Sequence, residues 1–516
     1  MIRLKIADQT VEVPEGTSVL DAAKEAGIPI PAMCMDEELD HFTSCMLCLV
    51  KDNAGRMFPS CSIAAASGMQ ITTDDEEIRE GRKMALELLL SEHTGDCEAP
   101  CQLGCPAHMD IPRMNRLIAA RKWEESLKVV KRDIALPAVL GRICPAPCEG
   151  ACHRKTVDEA VSICLLKRFV GDENDVHPWP VPPLNGKRVA IVGAGPAGLA
   201  AAYYLRLKGV EAHLFDKADK PGGQLRTAVS REILPEEILD KEINTILKTG
   251  VVYHPNTLVE DSLFEELKNS YHALVIATGN IDDLTKSYQL KGSPKGLEVN
   301  RDTFESSEPG VFAIGNVLRS SRLAVRSVGQ GKEVAFSVIQ FLNSEKVSGE
   351  PRMFNSRFGK LHALEFAEYL KESNPGKRSF PSVNFAGFSP EEAVNEAQRC
   401  MHCDCRAADN CKLRIYSDIY KADQKRFQTT PRRAITKQFQ TAGVVYEKEK
   451  CIKCGICVRL TEKYREKYGL TFIGRGFDVV IGIPFDESLD AGLTKTAQMV
   501  ARHCPTGALE IREKEY

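Results

Sequence analysis

Nineteen cysteines run through the 516 residues in clumps, and almost none stands alone. They are Cys34, Cys45, Cys48 and Cys61; Cys97, Cys101 and Cys105; Cys144, Cys148, Cys152 and Cys164; Cys400, Cys403, Cys405 and Cys411; and Cys451, Cys454, Cys457 and Cys504. Thiolates gathered in this way are the ligands of iron–sulfur clusters, whose chemistry is the one-electron step. Disulfides are the competing use, but they belong to small domains of oxidising compartments. The N-terminal Met1–Val13 stretch alternates like a strand and lacks a basic and then apolar leader, so a cytoplasmic chain is expected.

The elements that position the first four thiols are short. Residues 2–6 and 10–13 read as two strands joined by a turn, and Thr17 to Ala26 as a capped helix ending at Gly27. The cysteines follow as C-x10-C-x2-C-x12-C, a loop with three thiolates and a fourth farther on. That suits two irons bridged by sulfide, with a four-cysteine zinc site as the alternative. The stretch "VEVPEGTSVLDAAKEAGIPIPAMC" resembles the β-grasp [2Fe-2S] domain of the large iron–sulfur subunit of complex I and of some iron hydrogenases and formate dehydrogenases.

An amphipathic helix is expected over 76–92, running into "HTGDCEAPCQLGCP"; the chain returns at "ICPAPCEGACHRKTVDEAVSICLLKRF". Gly95, Pro100, Gly104, Pro145 and Pro147 read as helix breakers that place these thiols on loops. The two segments resemble the N-terminal domain of the glutamate synthase small subunit and of dihydropyrimidine dehydrogenase, a helical domain with two [4Fe-4S] clusters. The resemblance implies Cys97, Cys101 and Cys152 on one cluster and Cys105, Cys144 and Cys148 on the other. The family completes the second with a carboxylate or amide where Lys167 stands here, and an ammonium cannot ligate iron. Cys164, three residues earlier on the same helix face, is the expected replacement. The first set lacks the family's earliest cysteine; His93, four residues before Cys97, is the expected fourth ligand, as in a similar H-x3-C setting of the complex I subunit.

"GKRVAIVGAGPAGLAAAYYLRLKGVEAHLFDK" reads as strand, glycine turn, helix and strand, with Gly193, Gly195 and Gly198 in G-x-G-x-x-G and Asp216 18 positions after Gly198. Such a turn brings backbone N–H groups at a helix N-terminus to a pyrophosphate, and the acidic residue to a ribose. "PGGQL", "ALVIATG" and "PGVFAIGN" extend the resemblance to flavoproteins with two dinucleotide folds, which implies FAD. The expected contacts are Gly193, Gly195, Pro196, Ala197, Gly198, Asp216, Lys217, Gly223, Gln224, Leu225, Ala277, Thr278, Gly279, Gly315 and Asn316, the last standing where the family has Asp. In the glutamate synthase small subunit an NADPH-binding domain is inserted between the last two motifs. Here only residues 280–314 separate them, too few for a second dinucleotide fold, so that domain is expected to be deleted.

A helix capped at Ser389 leads into C-x2-C-x-C-x5-C at Cys400–Cys411, which suits a [4Fe-4S] cluster or zinc. Cys451, Cys454 and Cys457 with Cys504-Pro505, 47 residues on, resemble a ferredoxin with a single [4Fe-4S] cluster.

The expected fold is thus α/β and α+β multidomain. It comprises a β-grasp [2Fe-2S] domain at 1–75, a helical two-cluster domain at 76–180 and a Rossmann-like FAD domain without the NADPH insertion at 185–345. A linker and cluster segment at 346–440 and a ferredoxin-like domain at 441–516 follow. Cofactors would be FAD, one [2Fe-2S] and three [4Fe-4S] clusters, with a fourth if Cys400–Cys411 binds iron. Lysine and arginine number 68 against 71 acidic residues, net -3, with no basic tract for a nucleic-acid partner and no apolar run long enough for a membrane span. The resulting expectation is an oxidoreductase subunit relaying electrons between clusters, flavin and a partner. That partner would be a subunit of hydrogenase, formate dehydrogenase or aldehyde oxidoreductase type, or ferredoxin, with separate docking points at the two ends. A ferredoxin-dependent flavoenzyme acting alone, a glutamate synthase small-subunit variant and a purely structural FAD are the alternatives. No acid–base pair stands out, so catalytic residues stay unassigned.

Overall fold

The computed structural model describes residues 1–173, 177, 179–279, 288–382, 386–429 and 431–512. The chain folds into two compact units: 1–98 with 353–371 and 402–516, and 99–352 with 372–401.

In the first unit strand Ile2–Ile6 pairs antiparallel with Gln9–Val13 and parallel with Gln70–Ile71. Alternation buries Leu4, Ile6, Val11 and Val13 against Val19, Ala22 and Ala23 of helix Val19–Glu25. Ser18 caps that helix, its hydroxyl accepting the Asp21 N–H at 3.1 Å. Helix Glu76–Glu92 starts on the Asp75 cap and delivers the chain to His93. Its Leu86 and Leu90 share a core with Met33 and Leu47 of the N-terminal cysteine loops and with Val444, Tyr446, Ile456 and Leu460 of the C-terminal segment. The cluster segments at the two ends of the chain therefore belong to one folded unit. Leu47 and Leu460, both fully buried in this core, are the physical reason.

The second unit opens on short helices. Pro100 and Pro147 do not break helices; each begins one, Pro100–Leu103 and Pro147–Ala151. Proline is well suited to a first helical position because that N–H has no intrahelical partner. Cys101 and Cys148 consequently sit on helices rather than loops. Next comes a five-stranded, wholly parallel sheet in the order Val311–Ala313, Ala273–Ile276, Arg188–Val192, Glu211–Phe215, Val252–His254. Numbered along the chain this is the doubly wound order of a dinucleotide fold, with helix Pro196–Arg206 leaving the first strand. Between Ala273–Ile276 and Val311–Ala313 the described residues carry one small hairpin, Gly292–Ser293 with Gly296–Leu297. Residues 280–287, part of the 280–314 stretch, lie outside the described residues. Ser389 and Glu392 form a capping box at helix Pro390–Ala397. The expected linker before it is held: Arg378 donates to the Ser162 hydroxyl at 2.8 Å and to Glu149 at 2.7 Å.

Candidate functional site

The N-terminal thiols come together two by two. Cys34 and Cys45 have their sulfurs 3.4 Å apart, and Cys48 hydrogen-bonds Cys61. In each pair the hydrogen bond between the thiols holds one low, Cys34 at about 5 and Cys61 at about 6, and with burial pushes its neighbour, Cys45 or Cys48, up. Two pairs fit two bridged irons. The Ser44 N–H lies 3.5 Å from the Cys34 sulfur and the Thr43 hydroxyl 3.2 Å from that of Cys61, contacts of the kind that tune such a site.

The loop between Cys34 and Cys45 is fastened to the C-terminal segment of the same unit. Glu38 accepts from Lys463 at 3.2 Å and from Tyr464 at 2.8 Å, Arg459 donates to the Asp40 carbonyl, and Phe42 stacks on Phe472 at 5.9 Å. There Cys451, Cys454, Cys457 and Cys504 line one small hollow, with Ile452, Ile456 and Ile481 around them. Burial pushes all four thiols up, and the charge of neighbouring thiols adds to it at Cys454, Cys457 and Cys451, the last reaching about 12. Four mutually repelling, desolvated thiols around one hollow are a donor set for a polynuclear cation. Cys454 also feels the charge of Cys34, so the two cluster sites are neighbours.

His93 ends its helix with Nδ1 buried and unpartnered, while its other ring nitrogen donates to the Lys450 carbonyl. Burial and the Lys450 ammonium hold it neutral, at about 4. Cys97, expected with Cys101 and Cys152, is found among Cys405 and Cys411 of its own unit. Cys403 in that unit lies beside Tyr369. Cys101, Cys152 and Cys400 fall in the second unit.

The second unit gathers Cys105, Cys144, Cys148 and Cys164 around Lys167, which feels all four charges. Glycine makes this possible. Helices Pro137–Ile143 and Ile163–Glu173 touch backbone to backbone, since a Cβ at Gly141 would stand 2.6 Å from the Arg168 Cα and one at Gly171 2.6 Å from the Ala138 nitrogen. Cys144, at the end of the first helix, thereby meets Cys164 at the start of the second. Glu149 accepts the Cys164 N–H at 3.0 Å. Lys167 is 3% exposed with its Nζ 3.9 Å from the Cys164 sulfur. Burial works to neutralise it, but the thiolates prevail and hold its ammonium above the ordinary range.

The nucleotide site lies at the carboxyl end of the first parallel strand. Gly193 has φ +108°, and a Cβ there would strike the Ala277 carbonyl; one at Gly198 would overlap the Gly193 carbonyl. At Gly195, by contrast, a Cβ would meet nothing within 4 Å, leaving free the space in front of the Pro196–Arg206 helix. Asp216 accepts from the Ala194 N–H at 2.7 Å and the Ala218 N–H at 2.8 Å, fastening the glycine turn to Lys217 and its neighbours. Around the opening stand Gly223, 3.0 Å by its would-be Cβ from the Gly195 Cα, and Gly315, 3.1 Å likewise from the Ala197 Cβ. Asn316 accepts the Ser321 N–H at 3.1 Å. Thr278, beside Ala277 and Gly279, has its hydroxyl buried without a partner, an unfilled polar contact. Gln224 and Leu225 open the short helix after Gly223, Leu225 facing inward. These residues fit a bound dinucleotide. Helix Ala324–Leu342 joins this site to the thiols: Gly331 packs on Ala200, and Gly329 packs on Pro106, next to Cys105. Sequence reasoning missed that link, whose signal is the Gly329-x-Gly331 pair inside a long helix.

Among the described residues no three His, Cys, Asp or Glu side chains close around a single metal ion, and no helix is long and apolar enough to cross a membrane.

Grouped thiols and a doubly wound fold with an open glycine turn define a multidomain iron–sulfur protein with a Rossmann-like nucleotide-binding domain. Three family descriptions match accordingly: 2Fe-2S iron-sulfur cluster binding domain over 1–76, dihydropyrimidine dehydrogenase domain II, 4Fe-4S cluster, over 77–179, and NAD(P)-binding Rossmann-like domain over 191–260. The chain is similar to the NADPH-Fe(3+) oxidoreductase subunit beta of Geobacter sulfurreducens, 38% identical over 207 residues, 39% of this chain and 30% of that protein. It is 39% identical over 207 residues to the NADP(+)-dependent formate dehydrogenase subunit beta of Moorella thermoacetica, 35% of this chain and 29% of that one. It is 35% identical over 199 residues to the glutamate synthase [NADPH] small chain of Bacillus subtilis, 36% of this chain and 40% of the relative. The chain thus spans between 29% and 40% of the length of these relatives.

Proposed function

We propose that this chain is an electron-transfer subunit of a larger oxidoreductase, with FAD at the glycine turn and iron–sulfur clusters held by chain segments before and after it in sequence. The observation that carries this reading is the packing of helix Ala324–Leu342 through Gly331 onto the nucleotide-site helix and through Gly329 onto the residues after Cys105. One rigid element then borders both a flavin site and a cluster site.

Flavin exchanges electrons in pairs or singly, clusters one at a time, so their combination joins two-electron to one-electron chemistry. The residues do the rest. Gly193, Gly195 and Gly198 admit a pyrophosphate, Asp216 holds the turn for it, and Lys167 offsets thiolate charge at the adjacent cluster. In the first unit the [2Fe-2S] and ferredoxin-like sites form a second group of carriers. The short connection between Gly279 and Gly315 supports a chain without its own NADPH domain, fed by a partner subunit of the kind named among its relatives, in the cytoplasm. The residues at the nucleotide site favour FAD over NAD(P), because the Gly223 and Gly315 motifs both border the glycine turn and its helix.

Anaerobic purification of the full chain, with iron, zinc and flavin counted and co-purifying subunits identified, tests the proposal. Iron far above zinc, about one FAD per chain and a large partner subunit are expected. Stoichiometric zinc without flavin would refute it, and full activity on a small molecule with no partner present would favour the self-contained flavoenzyme.

A further inference from the structure

Cys97, Cys405 and Cys411, all buried in the first unit, converge from two stretches of chain on either side of the nucleotide-binding domain. The Cys405 N–H donates to the Cys97 carbonyl at 3.1 Å, which ties the stretches together at the thiols themselves. The Ser356 N–H points at the Cys97 sulfur from 3.4 Å, and the Ser356 hydroxyl is buried without a partner. Cys411 caps helix Lys412–Ile419, with the Leu413 and Arg414 N–H groups turned toward its sulfur. A Cβ at Gly507 would overlap the Cys405 sulfur, so glycine keeps this cradle open. The Lys450 ammonium lies close enough to Cys97 and Cys405 for its charge to act on both.

We propose that Cys97, Cys405 and Cys411 hold one [4Fe-4S] cluster, with the unpartnered Nδ1 of His93 as its fourth ligand. Three thiols need one more donor. Four residues before Cys97 stands an imidazole whose other nitrogen is already fixed on the Lys450 carbonyl, leaving Nδ1 to bind metal. Cys101 and Cys152 of the second unit are then ligands of a different cluster, not partners of Cys97. This rests on the reading of the thiols as iron–sulfur ligands but assigns them to different sets from those the sequence implied.

The experiment is iron content and low-temperature EPR of the reduced full chain in Cys97→Ser, Cys411→Ser, Cys101→Ser and the double variants. Expected is the loss of about one cluster's iron in each single variant, no further loss in Cys97→Ser/Cys411→Ser, and about twice the loss in Cys97→Ser/Cys101→Ser. Additive loss in the first double variant, or none beyond the singles in the second, overturns the grouping. A full-chain preparation whose thiols bind zinc would instead overturn the iron–sulfur reading itself. The wild type needs no altered thiol: with histidine labelled by ¹⁵N, a cluster signal whose strong nitrogen coupling changes on labelling and vanishes in His93→Gln is expected. Absence of such a coupling removes His93 as ligand.

Discussion

Lys167 and Lys450 each bury an ammonium beside sulfur, and a charge in that position favours the reduced, more negative state of whatever the thiolates bind. For Lys167 the distance to the Cys164 sulfur is 3.9 Å, and at an effective dielectric constant of ~20 two charges so placed interact by roughly 4 kcal/mol. Lys167→Met keeps the length of the side chain and removes the charge. Its cluster should shift to a midpoint potential on the order of 100 mV more negative, read by redox titration followed by EPR. An unshifted potential would mean that the Lys167 charge is offset by some other group. Motif spacing reveals the residue types at this site, and the helix face that carries Cys164 also carries Lys167, so the pairing was legible. The Cys97 grouping was not, because a backbone bond between Cys97 and Cys405 has no local signature.

At the scale of elements, the glycine turn separates two kinds of glycine. Gly193 and Gly198 are required by the fold, since any Cβ there meets backbone; Gly195 faces open space that the nucleotide would fill. Gly195→Val should therefore leave circular dichroism and cluster iron unchanged while lowering flavin content at least ~10-fold, a loss of more than about 1.4 kcal/mol in binding. Retained flavin would move the nucleotide elsewhere. The short helix Ala363–Leu370 is held to the first unit by Glu365, which accepts from Arg432 at 2.6 Å, from the His362 N–H at 2.7 Å and from the Ile435 N–H at 3.0 Å. Burial opposes its ionisation, yet the Arg432 and backbone donors win and bring its carboxyl down to about 2. Its contribution is complete above the ordinary value of 4.5 and is lost as pH falls toward 2. Glu365→Gln removes the charge that Arg432 pairs with, leaving it the Lys360 carbonyl at 2.8 Å, and should cost about 1–3 kcal/mol and speed amide exchange in 363–370. Unaltered exchange there would show that other contacts hold the helix. The cap at Ser389 was legible because its hydroxyl acts on its own next turn. Pro100 and Pro147 misled because a proline reads as a breaker until its position relative to the helix start is known.

For the whole molecule, the nucleotide site is proposed as an intermediate carrier rather than an entry point for nicotinamide. The parallel sheet supplies one dinucleotide fold among the described residues, and between its strands Ala273–Ile276 and Val311–Ala313 those residues carry one small hairpin. The sequence showed this as a count of residues between two motifs; which face a partner covers was not written in any local pattern. The most direct test is anaerobic stopped-flow spectroscopy of the purified full chain, following flavin absorbance after mixing with NADPH or, separately, with a reduced ferredoxin-type one-electron donor. The predicted result is flavin reduction by the one-electron donor, following cluster reduction, and little change with NADPH. Rapid, stoichiometric bleaching by NADPH would contradict it.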